Sequence, residues 1–120
     1  METEFMFYLD YSGIKIALDL CNHYKHYRVL ILVKDTEQVT ATAAIIEYYA
    51  TMLSGIQMHY LTDGFTIDFS NGSEMLIYPF DKLPPVTSCN LLMADKEIDT
   101  GVIENVMKSH HAQYEQYKIY

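Results

Sequence analysis

Two carboxylates, Asp95 and Glu97, follow the apolar run Leu91-Leu92-Met93-Ala94. Carboxylates placed at the end of a strand can share a proton or sit beside a metal-bound phosphate, and Asp99 with Glu104 forms a second such pair. On an acidic chain the plainer reading is a solvated face, and for Asp95 a helix cap. Cys21, His23 and His26 put a thiol and two imidazoles, the usual zinc ligands, on or just after one helix. A structural zinc takes four ligands, and the remaining residues of these types, His59, Cys89, His110 and His111, lie far away in sequence. Surface histidines and a buried cysteine are the simpler account. Ser, Cys and His are present without a G-x-S-x-G nucleophile elbow. The sequence therefore assigns no catalytic residue, no metal ligand and no cofactor, and the chain reads as non-enzymatic.

What it supplies in quantity is negative charge. Sixteen acidic residues against eight basic ones give a formal charge of −8. DNA and RNA are polyanions, so binding them directly would need a local basic face. Lysine and arginine are instead spread singly, and the densest stretch runs only from Lys25 to Arg28. Direct nucleic-acid binding is therefore not expected, and a basic protein is the natural partner. No apolar run reaches the roughly 18 residues of a membrane helix. The amino terminus, Met1-Glu2-Thr3-Glu4, is acidic where a signal peptide is basic. A cytoplasmic protein without membrane contact is expected, with Cys21 and Cys89 as buried free thiols. Eleven Tyr, seven Met and no Trp could provide adaptable contact surface, although half-buried rings explain the same bias.

The 120 residues suit one α/β domain spanning 1–120. Glu4 to Leu9 is short and apolar enough for a strand, and Tyr11-Ser12-Gly13 breaks it, with Ser12 a possible cap. Ile14, Ala17, Leu18 and Cys21 lay one stripe along a helix ending near His23. Arg28 to Val33 is a continuous aliphatic run, expected as a central parallel strand covered on both faces. Asp35 and Gln38 form a capping box for a helix to Leu53, with Val39, Ala43, Ile46, Ala50 and Leu53 on its inner side and Gly55 ending it. Phe65–Phe69 and Glu74–Tyr78 flank Asn71-Gly72, which suits a two-residue type I′ turn. That register pairs Phe69 with Glu74, Ile67 with Leu76 and Phe65 with Tyr78, placing Phe65, Ile67, Leu76 and Tyr78 on one face. Pro84-Pro85 makes Asp81 to Ser88 a connector. Asn90 to Ala94 is the last strand candidate, before a helix from about Thr100 to Tyr117 with Val102, Ile103, Val106, Met107, His110 and Tyr114 buried. The fold class is α/β (or α+β): a mixed sheet of about five strands, a hairpin at 65–78 and three helices, about 13–23, 36–53 and 100–117.

From about Ser12 to Met107 this succession resembles the front half of a phage terminase or helicase-type ATPase core. The likeness is carried by the helix after Gly13, the strand Val29 to Val33, the turn Lys34-Asp35-Thr36 with its long helix, the hairpin containing Phe69-Ser70-Asn71-Gly72-Ser73, and Leu91-Leu92-Met93-Ala94-Asp95. In that family the strand-ending Asp holds Mg²⁺ and an adjacent Glu activates water. The resemblance gives Asp95 the first role and Glu97 only loosely the second, because Lys96 intervenes. A triphosphate loop needs G-x-x-x-x-G-K-[ST], so that glycines expose backbone N–H groups and Lys neutralises phosphate. The nearest stretch, Tyr11-Ser12-Gly13-Ile14-Lys15-Ile16, separates its Gly from its Lys and follows them with Ile.

The leading expectation is thus an acidic interaction protein, a phage-encoded inhibitor or DNA mimic that binds a basic, nucleic-acid-binding protein. Its expected contacts are Asp63, Asp68, Glu74, Asp95, Glu97, Asp99 and Glu104, with Tyr78, Tyr114 and Tyr117 as aromatic anchors. The alternative is a degenerate terminase- or helicase-like nucleotide-binding domain with Asp95 and Glu97 at the metal-phosphate site. A third reading is a homodimer joined through an exposed hairpin edge.

Overall fold

The computed structural model describes residues 4–8, 11–84, 89–99, 101–105 and 117–119. In chain order they form β1 (Glu4–Tyr8), α1 (Tyr11–His23), β2 (Arg28–Val33), α2 (Thr36–Ala50), β3 (Ile56–Tyr60), β4 (Phe65–Phe69), β5 (Glu74–Pro79), β6 (Leu91–Ala94), the helical residues 101–105 (α3) and β7 (Tyr117–Ile119). The strands make one mixed sheet in the order β3-β4-β5-β2-β6-β1-β7. From β5 to β7 every pairing is parallel, while β3 and β4 extend the sheet antiparallel. The α/β fold and the five expected strands are present, and β3 and β7 add a strand at each edge.

β2 is the centre. Its residues Val29 to Val33 are at most 2% exposed, because β5 and β6 cover its edges and helices cover both faces. On one face Val29, Ile31 and Val33 pack with Ile14, Ala17, Leu18 and Cys21 of α1 and Val39, Ala43, Ile46 and Ala50 of α2. On the other, Leu30 and Leu32 pack with Leu92, Ala94, Ile98 and Ile103. Both helical stripes lie where a 3.6-residue period puts them. Asp35 caps α2, its Oδ1 accepting from Gln38 N–H at 3.0 Å. Neither Cys21 nor Cys89 is in a disulfide, and the two sit in the cores on opposite faces of the sheet.

The hairpin register differs from the expected one by a residue. Phe65 pairs with Ile77, Ile67 with Met75 and Asp68 with Glu74. Phe65, Ile67, Met75 and Ile77 therefore share the α1/α2 face, while Leu76 and Tyr78 belong to the opposite core. The loop has three residues, closed by Phe69 N–H to Ser73 C=O at 2.9 Å and Gly72 N–H to Phe69 C=O at 3.0 Å. Only Gly72, at φ 89°, is left-handed there. This is a type I turn followed by a left-handed glycine, whereas type I′ would need positive φ at Asn71 as well. The reason lies far away in sequence. Asn71 Nδ2 donates to the carbonyls of Cys21 at 2.8 Å and Tyr24 at 3.2 Å, and Ser73 Oγ donates to Tyr24 C=O at 2.6 Å while accepting from Tyr27 N–H at 2.9 Å. The turn thereby satisfies carbonyls at the end of α1 that have no partner within the helix.

Other expectations shift for local reasons. Helix α1 already includes Tyr11 and Ser12, so Ser12 lies in its first turn and not before it. α2 stops at Ala50 with Thr51 as its cap; Leu53 lies beyond the helix, and Gly55, at φ 73°, turns the chain into β3. Of the closing helix, residues 101–105 are helical, with Ile103 buried and Val102 partly so. Val106, Met107, His110 and Tyr114 lie outside the described residues. Tyr117 is in a strand, because the chain pairs there with β1 in register Glu4 to Tyr117. Asn71→Ala removes both bonds to the end of α1, and we predict a loss of about 1–2 kcal/mol, seen as a lower urea midpoint with unchanged m value.

Candidate functional site

The parallel strands β1, β2, β5 and β6 all end at the same edge of the sheet, so the loops that follow them are neighbours. In open α/β sheets ligands bind at that edge, where adjacent strands send their connections to opposite faces. β2 and β6 are such a pair. α2 follows β2 onto one face and α3 follows β6 onto the other. Lys34 and Asp35 leave β2 on one side of the crevice, and Asp95, Lys96 and Glu97 leave β6 on the other.

Lys34 Nζ donates to Glu97 Oε1 across this crevice at 2.9 Å. The bond and the charge of Lys34 lower the Glu97 pKa. Lys34 is raised in turn, first by its hydrogen bond to Glu97 and by the charge of Glu97, with Asp95 and Asp35 adding to the effect. Asp95 Oδ1 accepts from Glu97 N–H at 2.9 Å. Asp95 therefore caps a turn, and the helix-capping role falls to Asp99, whose Oδ2 accepts from Gly101 N–H at 2.9 Å.

Two more carboxylates reach the same edge. Asp63 lies in the β3–β4 loop, two residues before the Phe65 that pairs with Ile77 near the end of β5, and Asp81 lies just after β5. Tyr78, in the last part of β5, is buried at 8% exposure. Burial, then the charges of Asp63 and Glu74, push its hydroxyl pKa up. Among the described residues the loops of this edge carry the carboxylates Asp35, Asp63, Asp81, Asp95, Glu97 and Asp99 against the lysines Lys34, Lys82 and Lys96. The formal charge of these loops is −3, and Glu37 in the first turn of α2 adds one more carboxylate.

The structure thus divides the expected contact residues. Asp63, Asp95, Glu97 and Asp99 lie along the same edge, Asp63 beside β5 and the other three after β6, and Glu104 follows, half-buried, on α3. Asp68 and Glu74 pair with each other's strand at the opposite edge. There Glu74 forms an ion pair with Arg28 Nε, and Asp68 accepts from Thr66 Oγ1 at 3.2 Å and lies 3.8 Å from His59 Nε2. Tyr78 is buried and cannot serve as a surface anchor. Tyr117 lies in β7, and Tyr114 is outside the described residues. Sequence reasoning overlooked Asp35, Lys34 and Asp81 as members of the site. The signal was available, since each lies within two residues of a strand end.

The opposite edge holds a polar cleft of about 340 Å³ lined by His26, Arg28, Gly72, Glu74, Cys89 and Asn90. Glu74 neutralises Arg28 inside it. Among the described residues no three His, Cys, Asp or Glu side chains gather as a metal site, and no helix is long and apolar enough to cross a membrane.

Glu97 should titrate below the ordinary glutamate range, and Lys34→Met should return it upward, as followed by NMR of the side-chain carboxyl carbon against pH. Any stability tied to this pair is present above the unfolded glutamate pKa and fades as pH falls through the folded one; the exposure of both side chains keeps it small. Burial, with Glu74 adding to it, pushes the Cys21 thiol up to about 12. Cys21 should resist a thiol reagent at mildly alkaline pH in the native protein and react fully in denaturant. Compared with known proteins, the chain matches no family model, and no curated protein or solved structure is significantly similar to it.

Proposed function

We propose that the chain is a non-enzymatic binding domain that engages a basic, nucleic-acid-binding protein through the acidic edge formed by Asp35, Asp63, Asp81, Asp95, Glu97 and Asp99. The observation that carries this reading is the gathering of those carboxylates where the parallel strands end, on loops fixed by the sheet. Carboxylates held on a rigid frame can replace phosphates in a basic groove and speed encounter at low salt. In that role the protein acts as an inhibitor or DNA mimic, and a phage origin accords with the terminase-like order of its elements. Buried cysteines outside any disulfide suit the reducing cytoplasm.

One observation favours a second reading, a degenerate nucleotide-binding domain. β1 lies directly beside β6, with Tyr8 opposite Ala94, so the described end of β1 lies beside the strand end that Asp95 follows. That is where the ATPase resemblance places a phosphate beside the metal-holding Asp.

The quadruple variant Asp63→Asn, Asp95→Asn, Glu97→Gln, Asp99→Asn keeps the hydrogen-bond acceptors of Asp95 and Asp99 and removes the charge. Wild type is expected to displace a labelled duplex from a basic DNA-binding protein, more strongly at low salt than at high. The quadruple variant should lose about tenfold or more in affinity, whereas Asp68→Asn with Glu74→Gln should not. No displacement by wild type, or equal loss in both variants, rejects the acidic-edge reading. The two readings separate in a melting experiment. Millimolar Mg·ATP should leave the melting temperature unchanged, and a rise abolished by Asp95→Ala would instead establish the nucleotide site.

A further inference from the structure

β3 is an outer strand of the sheet, hydrogen-bonded to β4 on one side and, among the described residues, to nothing on the other. The direction of its backbone groups follows from the bonds that flank it. Ser70 N–H donates to Gly55 C=O at 2.8 Å, and Leu61 N–H donates to Gly64 C=O at 2.8 Å. Backbone groups in an antiparallel strand alternate sides residue by residue. With Gly55 and Leu61 turned to β4, Gln57 and His59 are turned to it too. Ile56, Met58 and Tyr60 therefore point their N–H and C=O groups outward.

Soluble proteins blunt such edges with Lys, Pro, a bulge or an inward charge. This edge has none of these. Residues 51–62 contain no Asp, Glu, Lys, Arg or Pro, in a chain with sixteen acidic and eight basic residues. β3 pairs with β4 through five consecutive residues without a bulge. Its apolar side chains continue the sheet's inner face to the rim: Ile56 and Met58 pack against the α1/α2 core, and Tyr60 meets Phe65 edge-on at 4.8 Å while remaining 61% exposed.

We propose that β3 is a homodimer interface, in which β3 of a second copy adds antiparallel about a two-fold axis at Met58. Met58 of each copy then lies opposite its counterpart, and Ile56 of each lies opposite Tyr60 of the other. All three pairs exchange both backbone hydrogen bonds. On the inner face Ile56, Met58 and Tyr60 of both copies form one apolar row. On the outer face Gln57 lies opposite His59, so no like charges meet. This geometry also keeps the cost of joining two like-charged chains low. The axis stands normal to the sheet, so the strands of the second copy run the other way and its acidic edge points to the far end of the joined sheet. Two chains of charge −8 thereby meet at an uncharged rim with their acidic edges turned apart. This inference is independent of the acidic-edge function.

Light scattering across a concentration series tests it on the full chain. Wild type should approach twice the chain mass as concentration rises. Met58→Pro deletes an outward N–H without touching the β4 ladder, and Tyr60→Lys sets a charge on the exposed rim. Both variants should stay at the single-chain mass with unchanged far-UV circular dichroism. Tyr60→Lys, at an exposed position, carries the test if Met58→Pro does not fold. The proposal is overturned by wild type at single-chain mass throughout, by a twofold mass that persists in the folded variants, or by open-ended growth beyond two copies.

Discussion

Everything in this molecule follows from the burial of β2. Five consecutive apolar side chains, Val29 to Val33, are removed from water on both faces. Each such burial contributes about 1.5–3 kcal/mol. A strand of this kind needs a strand on either edge and cover above and below, and the chain meets the need with parallel neighbours, β5 and β6. Parallel pairing aligns strand ends. The polar residues that terminate β2, β5 and β6 must then emerge side by side, and Lys34, Asp35, Asp81, Asp95 and Glu97 are those residues. The acidic edge is thus a consequence of the core, set by the same hydrophobic constraint that fixes the strand order.

The opposite edge is built differently. There the turn Ser70-Asn71-Gly72 folds back on the end of α1, and its polar groups are spent on carbonyls of Cys21 and Tyr24. Arg28 is paired with Glu74, and Arg28 N–H donates to Asn90 Oδ1 at 2.9 Å. Hydrogen bonds between groups some fifty residues apart in sequence tie α1, β2, β5 and β6 together at this end. At one edge polar groups bind one another around the cleft of Arg28, Glu74 and Asn90, while the other presents charge on loops. That asymmetry places the long-range polar bonds at one end of the sheet and the loop carboxylates at the other.

Much of this was legible in the residues. The stripes of α1 and α2, the buried run of β2 and the alternation of β4 and β5 are periodic signals produced by burial, and burial is what the structure confirms. The failures share a cause, which is that the deciding partner lies far away in sequence. Asn71-Gly72 read locally is a two-residue turn, yet the Asn71 amide is committed to α1, which lengthens the loop and slips the register by one residue. β3 was missed because Gln57, Met58, His59 and Tyr60 bury little and lack the aliphatic density of an inner strand. β7 owes its extended form to pairing with β1 across more than a hundred residues. The carboxylates of the site were visible as types, but their division between two edges depends on strand order, and no local pattern encodes that.

The ion pair across the β2/β6 crevice bears on what the acidic edge can accept. Lys34 and Glu97 are both largely exposed, with side-chain exposures of 48% and 64%, so separating them costs little. The pair is therefore no lasting barrier to a ligand of either sign. The fixed background decides: once Lys34 swings away from Glu97, Asp35, Asp95 and Glu97 remain around the crevice against the one positive charge of Lys96. A phosphate entering there would meet three carboxylates without the glycine-rich run of backbone N–H groups that offsets such repulsion in triphosphate sites. An arginine or lysine from a partner would instead replace Lys34 on Glu97 and gain Asp95 and Asp35 as neighbours. The same edge that repels an anion can accept a cation by exchange, and the exposed β3 rim, which lies at the side of the sheet and not at its strand ends, leaves that exchange unobstructed.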